Sequence, residues 1–444
     1  MVAATGEVAR AVRGRVLSFH DDPFEVGEAG SHTFHEDGLV LIDPDGRIGA
    51  VGPADEVTGS VPDGVVVDHY PDKLVLPGFI DPHIHFPQTQ VIGSYGAQLL
   101  DWLQTYTFVE EQKFFDRAHA DRVAGFFLDE LLRNGTTTAA VYCSVHAASV
   151  DAFFTAAEAR NMLMLAGKVL MDRGAPNGLL DNAQSAYDDS TALIKRWHGK
   201  GRQRYAVTPR FALTSTEAQL EVAGTLMAEN KRVHMQTHLS ENLDEIAMAR
   251  ELFPSAKNYT DIYDRFDLLG PGSLFGHCIH LEPAERERLS ESRSVAVFCP
   301  TSNLFIGSGL FNLAEARART YPIRVAMATD VGGGTSYSML RTAAEGYKVQ
   351  QLRGVNLPAL EAFYLVTLGN ARSLGLEAQI GTLGAGSMAD LVVLDSRSTP
   401  AMAHRMETVE GSLAEELFVL MTMGDDRAVS ATYVAGDRLY SADG

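Results

Sequence analysis

Cysteine is scarce in this chain: three residues in 444, far apart at Cys143, Cys278 and Cys299. No C-x-x-C pair occurs, which argues against a thiolate zinc site or a disulfide framework. The same absence excludes zinc deaminases built on H-x-E with P-C-x-x-C. Long apolar runs are also missing, and no stretch approaches the ~20 residues needed to span a bilayer. Positive charge is in short supply, 37 Lys and Arg against 57 Asp and Glu. The resulting formal net charge of −20 argues against nucleic acid or an anionic membrane as partner. It suits an enzyme acting on a neutral or weakly charged small molecule. Arg10, Arg13 and Arg15 are followed by no apolar segment of the secretory type, so a cytoplasmic location is expected.

What is present is an ordinary globular composition, 45% hydrophobic and 21% charged, in a chain long enough for one large domain and a smaller one. From about residue 8 to 67 short alternating strands are joined by turns such as Asp43-Pro44-Asp45-Gly46. The tail reads alike around 390–394 and 431–438. The two ends are expected to fold together as a small β-sandwich domain, residues 1–73 with 382–444. Between them, over 74–381, apolar strands alternate with amphipathic helices. Eight strands are expected, at 74–85, 136–142, 163–170, 205–211, 232–239, 273–279, 294–300 and 324–330. Near-continuous apolar runs of this kind suit parallel strands buried on both faces. Their number, order and span predict an α/β fold, a (β/α)8 TIM barrel. The rival, an open doubly wound sheet, is disfavoured because no glycine-rich phosphate loop follows the first strand.

Active sites of such barrels form at the carboxyl ends of the strands. In the run Leu76-Pro77-Gly78-Phe79-Ile80-Asp81-Pro82-His83-Ile84-His85, two histidines two residues apart share one side of a strand and can converge on one ion. Strand four ends with Arg210, and strand five with His238 followed by Ser240 and Glu241. Strand six carries His277 and strand eight ends in Asp330. Each is costly to bury in a barrel unless it binds metal or substrate. Three His and one Asp suit a borderline divalent ion, one Zn2+ per chain, with Fe2+ as the alternative. Such an ion lowers the pKa of a bound water towards ~7 and gives hydroxide at neutral pH. Glu241 is placed to shuttle a proton, and His277 to polarise the attacked group. The fourth strand lacks the lysine that a carboxylate-bridged binuclear centre needs, which favours one metal; Lys168 on strand three is a lesser candidate for that bridge. His20, His32, His35, His69, His198 and His404 read as surface residues and His234 as structural, with His280 undecided.

These residues make the chain resemble the amidohydrolase superfamily over essentially its whole length. The general features are the Pro77–His85 strand, Gln236-Thr237-His238-Leu239-Ser240-Glu241, and the return from Gly381-Thr382-Leu383 to Ala389-Asp390-Leu391. Narrower motifs are similar to the guanine deaminases: His85-Phe86-Pro87-Gln88, Leu100-Asp101-Trp102-Leu103 with Tyr106-Thr107-Phe108, Thr208-Pro209-Arg210-Phe211, Cys299-Pro300-Thr301-Ser302-Asn303-Leu304, and Thr329-Asp330-Val331-Gly332-Gly333-Gly334. Two departures are Val109, where the family has proline, and the bulky Phe305-Ile306, which could face the pocket.

The resemblance implies that His83, His85, His238 and Asp330 hold the metal, that Glu241 is the proton shuttle, and that His277 assists. It places Gln88 and Arg210 on the purine with Phe211 beside it. The aromatic-rich segment 88–115, with Trp102 expected at the substrate, is too long for a simple connection and is expected to cover the pocket. A subunit interface is an alternative use of the same aromatics, and a homodimer is implied by the resemblance. The expected reaction is hydrolytic deamination of guanine to xanthine and ammonia. Alternatives are a related ring, 8-oxoguanine or an amino-triazine such as ammeline, or a non-catalytic scaffold of the same fold.

Overall fold

At Gly78 the chain leaves one sheet and enters another. A computed structural model describes residues 7–96, 98–409 and 411–443; the outermost residues of the expected terminal segments, 1–6 and 444, lie outside it. The first expected strand, 74–85, is in fact two. Val66–Pro77 belongs to a sheet of the termini, and Phe79–His85 starts the barrel. The break has a steric cause: a side chain at Gly78 would collide with Thr137, while its N–H donates to the Asp390 carbonyl at 2.8 Å. Residues 74–77, expected in the barrel, pair antiparallel with Leu391–Leu394.

The barrel strands, numbered here in chain order, are β1 (Phe79–His85), β2 (Thr136–Tyr142), β3 (Leu163–Gly167, continued by Val169–Leu170), β4 (Arg204–Pro209), β5 (His234–Leu239), β6 (Ser273–His277), β7 (Val295–Phe298) and β8 (Arg324–Met327). All pair in parallel and in sequence. Several end earlier than expected, so Arg210 and Asp330 lie one and three residues beyond their strands. β8 returns to β1 through buried polar residues. The Asp330 N–H donates to the His83 carbonyl at 2.9 Å. Asn370 donates to the carbonyls of Ile80 and Met327 at 2.7 and 2.8 Å, and accepts from Met327 N–H at 2.9 Å. Asp81 accepts from the Thr329 hydroxyl and backbone.

The termini form one seven-stranded mixed sheet in the order Asp437–Ser441, Val429–Val434, Leu391–Leu394, Val66–Pro77, Arg10–Phe19, His32–Ile42, Ile48–Pro53. The period-two pattern gives each face a task. Val12, Val40, Val75, Val393 and Ala431 form the sheet's own core. Leu74, Leu76, Val392 and Leu394 point the other way and join the core of the barrel. Among the described residues no helix is long and apolar enough to cross a membrane.

Candidate active site

Nearly every residue expected at the site meets at the carboxyl end of the barrel. His85, Gln88, Trp102, Arg210, Phe211, His238, Glu241, His277 and Asp330 line one cavity, and His83 stands behind His85 and His238. Leu99, Leu103 and Ile306 complete the apolar wall. Ile306 thus faces the pocket as expected, whereas Phe305 lines a neighbouring cavity and Val109 points to solvent.

His83 and His85 leave β1 on the same side, with Nε2 atoms 3.5 and 3.3 Å from Asp330 Oδ1. Ligand nitrogens of His83, His85 and His238 lie within 4.8 Å of one another. Neither ring nitrogen of His83 has a hydrogen-bond partner although both are buried. Desolvation holds these imidazoles neutral, pushing His85 down to about 3 and His238 well below its usual range. Burial alone would raise the Asp330 carboxyl, but the facing His83 and His85 keep it well below the carboxylate range. Bare imidazole nitrogens turned toward a buried carboxylate are unfavourable unless a cation lies among them, so this donor set fits a divalent metal. His238 is oriented for it: its Nδ1–H donates to the Arg210 carbonyl at 2.7 Å, which leaves Nε2 as the free ligand atom.

Two features that the sequence did not flag make room for and hold the histidines. A Cβ at Gly276 would lie 2.5 Å from His83 Cε1, so only glycine fits that point of β6. The Tyr142 ring at the end of β2 stacks on His85 at 4.4 Å and lies 4.7 Å from His83. The backbone is strained around the same point: Ser240, His277, Cys278 and Asp330, none of them glycine, have φ of 50°, 71°, 51° and 51°.

Glu241 follows β5 on a turn pinned by the next helix, Leu243–Leu252. Glu245 Oε2 accepts from the Glu241 and Asn242 N–H groups at 2.8 and 3.1 Å, and the Asn242 side chain caps Asp244. The Glu241 carboxylate accepts from Ser308 Oγ at 2.9 Å, while Oε2 stands 3.4 Å from His277 Nε2. Burial, reinforced by the charge of Asp330, pushes Glu241 up to about 8. His277 donates from Nδ1 to Asn303 Oδ1 at 2.8 Å, which turns its Nε2 toward Glu241 and Asp330. His280 is structural: its Nε2–H donates to the Ser308 carbonyl at 2.8 Å and so steadies the residue that holds Glu241.

On the opposite wall Arg210 forms a buried ion pair with Glu111 at 2.7 Å, over the Phe108 ring. Gln88 donates to the same carboxylate at 3.0 Å. Glu111 was missed in the sequence because nothing local distinguishes it from an exposed helical acid. Lys168 is not a metal bridge, since its amine pairs with Asp181. His234 donates to the Leu374 carbonyl and is structural, as expected. Of the histidines read as surface residues, His20, His69 and His404 are exposed and His32, His35 and His198 half-buried. His198 also accepts from the Tyr205 N–H. The segment 88–115 supplies Leu99, Trp102 and Leu103 to the pocket, buries Phe108 and Phe114, and leaves Tyr95 and Phe115 exposed.

The amidohydrolase family profile matches residues 74–439. Guanine deaminase of Escherichia coli K12 is 48% identical over 434 residues, 97% of this chain and 98% of the relative. A crystal structure of guanine deaminase from Bradyrhizobium japonicum has a TM-score of 0.94 at 37% identity, covering 97% of this chain and 99% of that one. Guanine deaminase from C. acetobutylicum, solved with guanine bound in its active site, has a TM-score of 0.84 at 27% identity over 97% and 100%. This chain belongs to the amidohydrolase family, among its guanine deaminases.

Proposed function

We propose that this protein hydrolyses guanine to xanthine and ammonia, with one zinc ion per chain held by His83, His85, His238 and Asp330. The observation that carries the reading is the meeting, in one cavity, of neutral histidines facing an ionised Asp330 with a protonatable Glu241 across from a Gln88–Arg210 wall. When bound, a divalent ion at this site acidifies a water molecule and so supplies the nucleophile.

The chain's own residues do the rest. Arg210 and Gln88 hold the purine by its polar edge, with Phe211, Trp102 and Ile306 excluding water from its faces. Glu241 accepts the proton released as water adds to the carbon bearing the exocyclic amine, and returns it to the adjacent ring nitrogen. A second proton passes through Glu241, from the hydroxyl of the adduct to the amine, so that the new C=O forms as the C–N bond breaks, ammonia leaves, and Glu241 ends as it began. A carboxyl poised near neutrality is suited to both directions of transfer. His277 Nε2 faces both Glu241 and Asp330, and by sharing the proton that Glu241 carries it becomes a donor to the oxygen on which charge develops.

In this reading the barrel carries the reaction and the terminal sheet is an accessory unit, with boundaries near Gly78 and residue 382. The enzyme is cytoplasmic and homodimeric, and the exposed Tyr95 and Phe115, on the segment that also walls the pocket, support the second of these.

The test is ammonia release by the zinc-loaded protein from guanine, 8-oxoguanine, adenine and ammeline, alongside Glu241→Gln. Guanine is expected to lead, and the variant to lose ~10³-fold in kcat with zinc still bound. Turnover of another ring above guanine would move the substrate and leave the mechanism in place. No turnover with zinc bound would refute the reading.

A further inference from the structure

One charged group that sequence reading missed stands behind the pocket wall, against Gln88 and Arg210, and has a role of its own. Glu111 is buried, and no charge balances it except Arg210 among the described residues. Both of its oxygens accept from Nη1 of Arg210, at 2.9 and 2.7 Å. Its Oε1 also accepts from Nε2 of Gln88 at 3.0 Å. A carboxylate can only accept, so this contact fixes which end of the Gln88 amide is which: the NH2 faces Glu111 and the oxygen faces away.

The atoms left over decide what the pocket offers a ligand. Oε1 of Gln88 accepts no hydrogen bond among the described residues, and neither Nε nor Nη2 of Arg210 donates one, yet both residues line the cavity. Oε1 lies against the backbone of Gly332, whose φ of 122° and lack of a side chain keep that point clear; a Cβ there would collide with it. The Phe108 ring lies 5.3 Å from the Arg210 guanidinium and helps to fix its position.

We propose that Glu111 is the positioning residue that sets base selectivity. By locking Gln88 as an acceptor beside Arg210 as a donor, it makes the wall complementary to a lactam edge, a ring C=O next to a ring N–H. A purine carrying an amine and a bare ring nitrogen at those positions presents the reverse pattern and leaves both wall groups unpaired. The inference rests on the guanine deaminase reading and deepens it: Glu111, through Gln88 and Arg210, is what makes the site reject 6-amino analogues.

2,6-Diaminopurine is the probe, because it keeps the reacting carbon and its amine and inverts only the lactam edge. The zinc-loaded wild-type protein is expected to favour guanine over it by ~10³-fold in kcat/KM, the scale on which sites built for hydrogen bonding reject a mismatched partner. In Glu111→Gln the new amide donates as well as accepts, so Gln88 is free to turn over. Guanine turnover is then expected to fall while that of 2,6-diaminopurine holds or rises, and the preference to shrink by at least ~10-fold. Equal losses on both bases would mean that Glu111 is merely structural and would overturn the proposal. Should Glu111→Gln fail to fold, Gln88→Met carries the test: it leaves the Arg210–Glu111 pair whole and removes the acceptor. The preference for guanine must again shrink, and an unchanged ratio overturns the lock. A wild-type protein inactive on guanine would instead overturn the underlying reading, which keeps the two failures apart.

Discussion

The two ends of the barrel bury charge in opposite ways. At the amino end Arg202 meets Asp390 through both Nη atoms, and Asp390 also accepts from Ala435 N–H while its backbone carbonyl takes Gly78 N–H. Charge there is cancelled where it lies, and the pair ties the barrel to the terminal sheet. At the carboxyl end His83 has two bare nitrogens, His277 Nε2 and Tyr142 Oη have no partner, and neutral imidazoles face an ionised carboxylate. Burial of the first kind specifies a fold. Burial of the second kind is tolerable only because something from outside completes it.

Cutting the closed end gives the largest expected effect. Arg202 and Asp390 are only 11% and 3% exposed, so Arg202→Ala leaves an unbalanced buried carboxylate. A loss of about 3–5 kcal/mol is expected in chemical unfolding, with kcat of the folded fraction unchanged. A fall in kcat without loss of stability would erase the distinction between the two ends. At the open end, Gly276→Ala pushes a methyl group against His83 from behind. Zinc affinity, measured by competition with a chelator, is expected to drop ~10–100-fold, the range for disturbed ligand support. Unchanged affinity would show that β6 does not set the position of His83.

How much of this was legible follows from the range of the signals. The eight strands were readable because strands covered on both faces are apolar throughout, and His83 and His85 because two residues of strand return a side chain to the same face. Arg210, His238, Glu241, His277 and Asp330 followed from barrel geometry alone, which gathers strand ends at one mouth. What stayed hidden depends on partners distant in sequence. Glu111 looks like any helical acid until Arg210, 99 residues later, is folded against it. Gly276 marks a close approach to His83 and not a turn, and Gly78 marks a change of sheet inside an uninterrupted apolar run. Lys168 illustrates the converse: a lysine on a barrel strand invited a metal role, and its partner turned out to be Asp181, beyond the end of the strand.

Tyr142 offers the finest probe of the comparison, because its ring and its hydroxyl fall on different sides of it. The ring packs on His85, His83 and His238 at 4.4, 4.7 and 5.0 Å and belongs to the scaffold of the histidines. The hydroxyl is buried with no partner, a cost the folded protein carries for no structural return. Tyr142→Phe keeps the first and deletes the second. Relieving a buried unpartnered hydroxyl is expected to stabilise the zinc-free protein by about 1 kcal/mol. Zinc affinity should hold, since the ring that stacks on the ligands is unchanged. If the hydroxyl is kept for the occupied site, kcat/KM on guanine falls at the same time, by less than ~10-fold for one neutral hydrogen bond. Stability rising while activity falls is the signature of an atom retained for function, as the open end requires. A Tyr142→Phe protein less stable than the wild type would place this hydroxyl with Arg202 and Asp390, among the groups whose burial is already balanced within the fold.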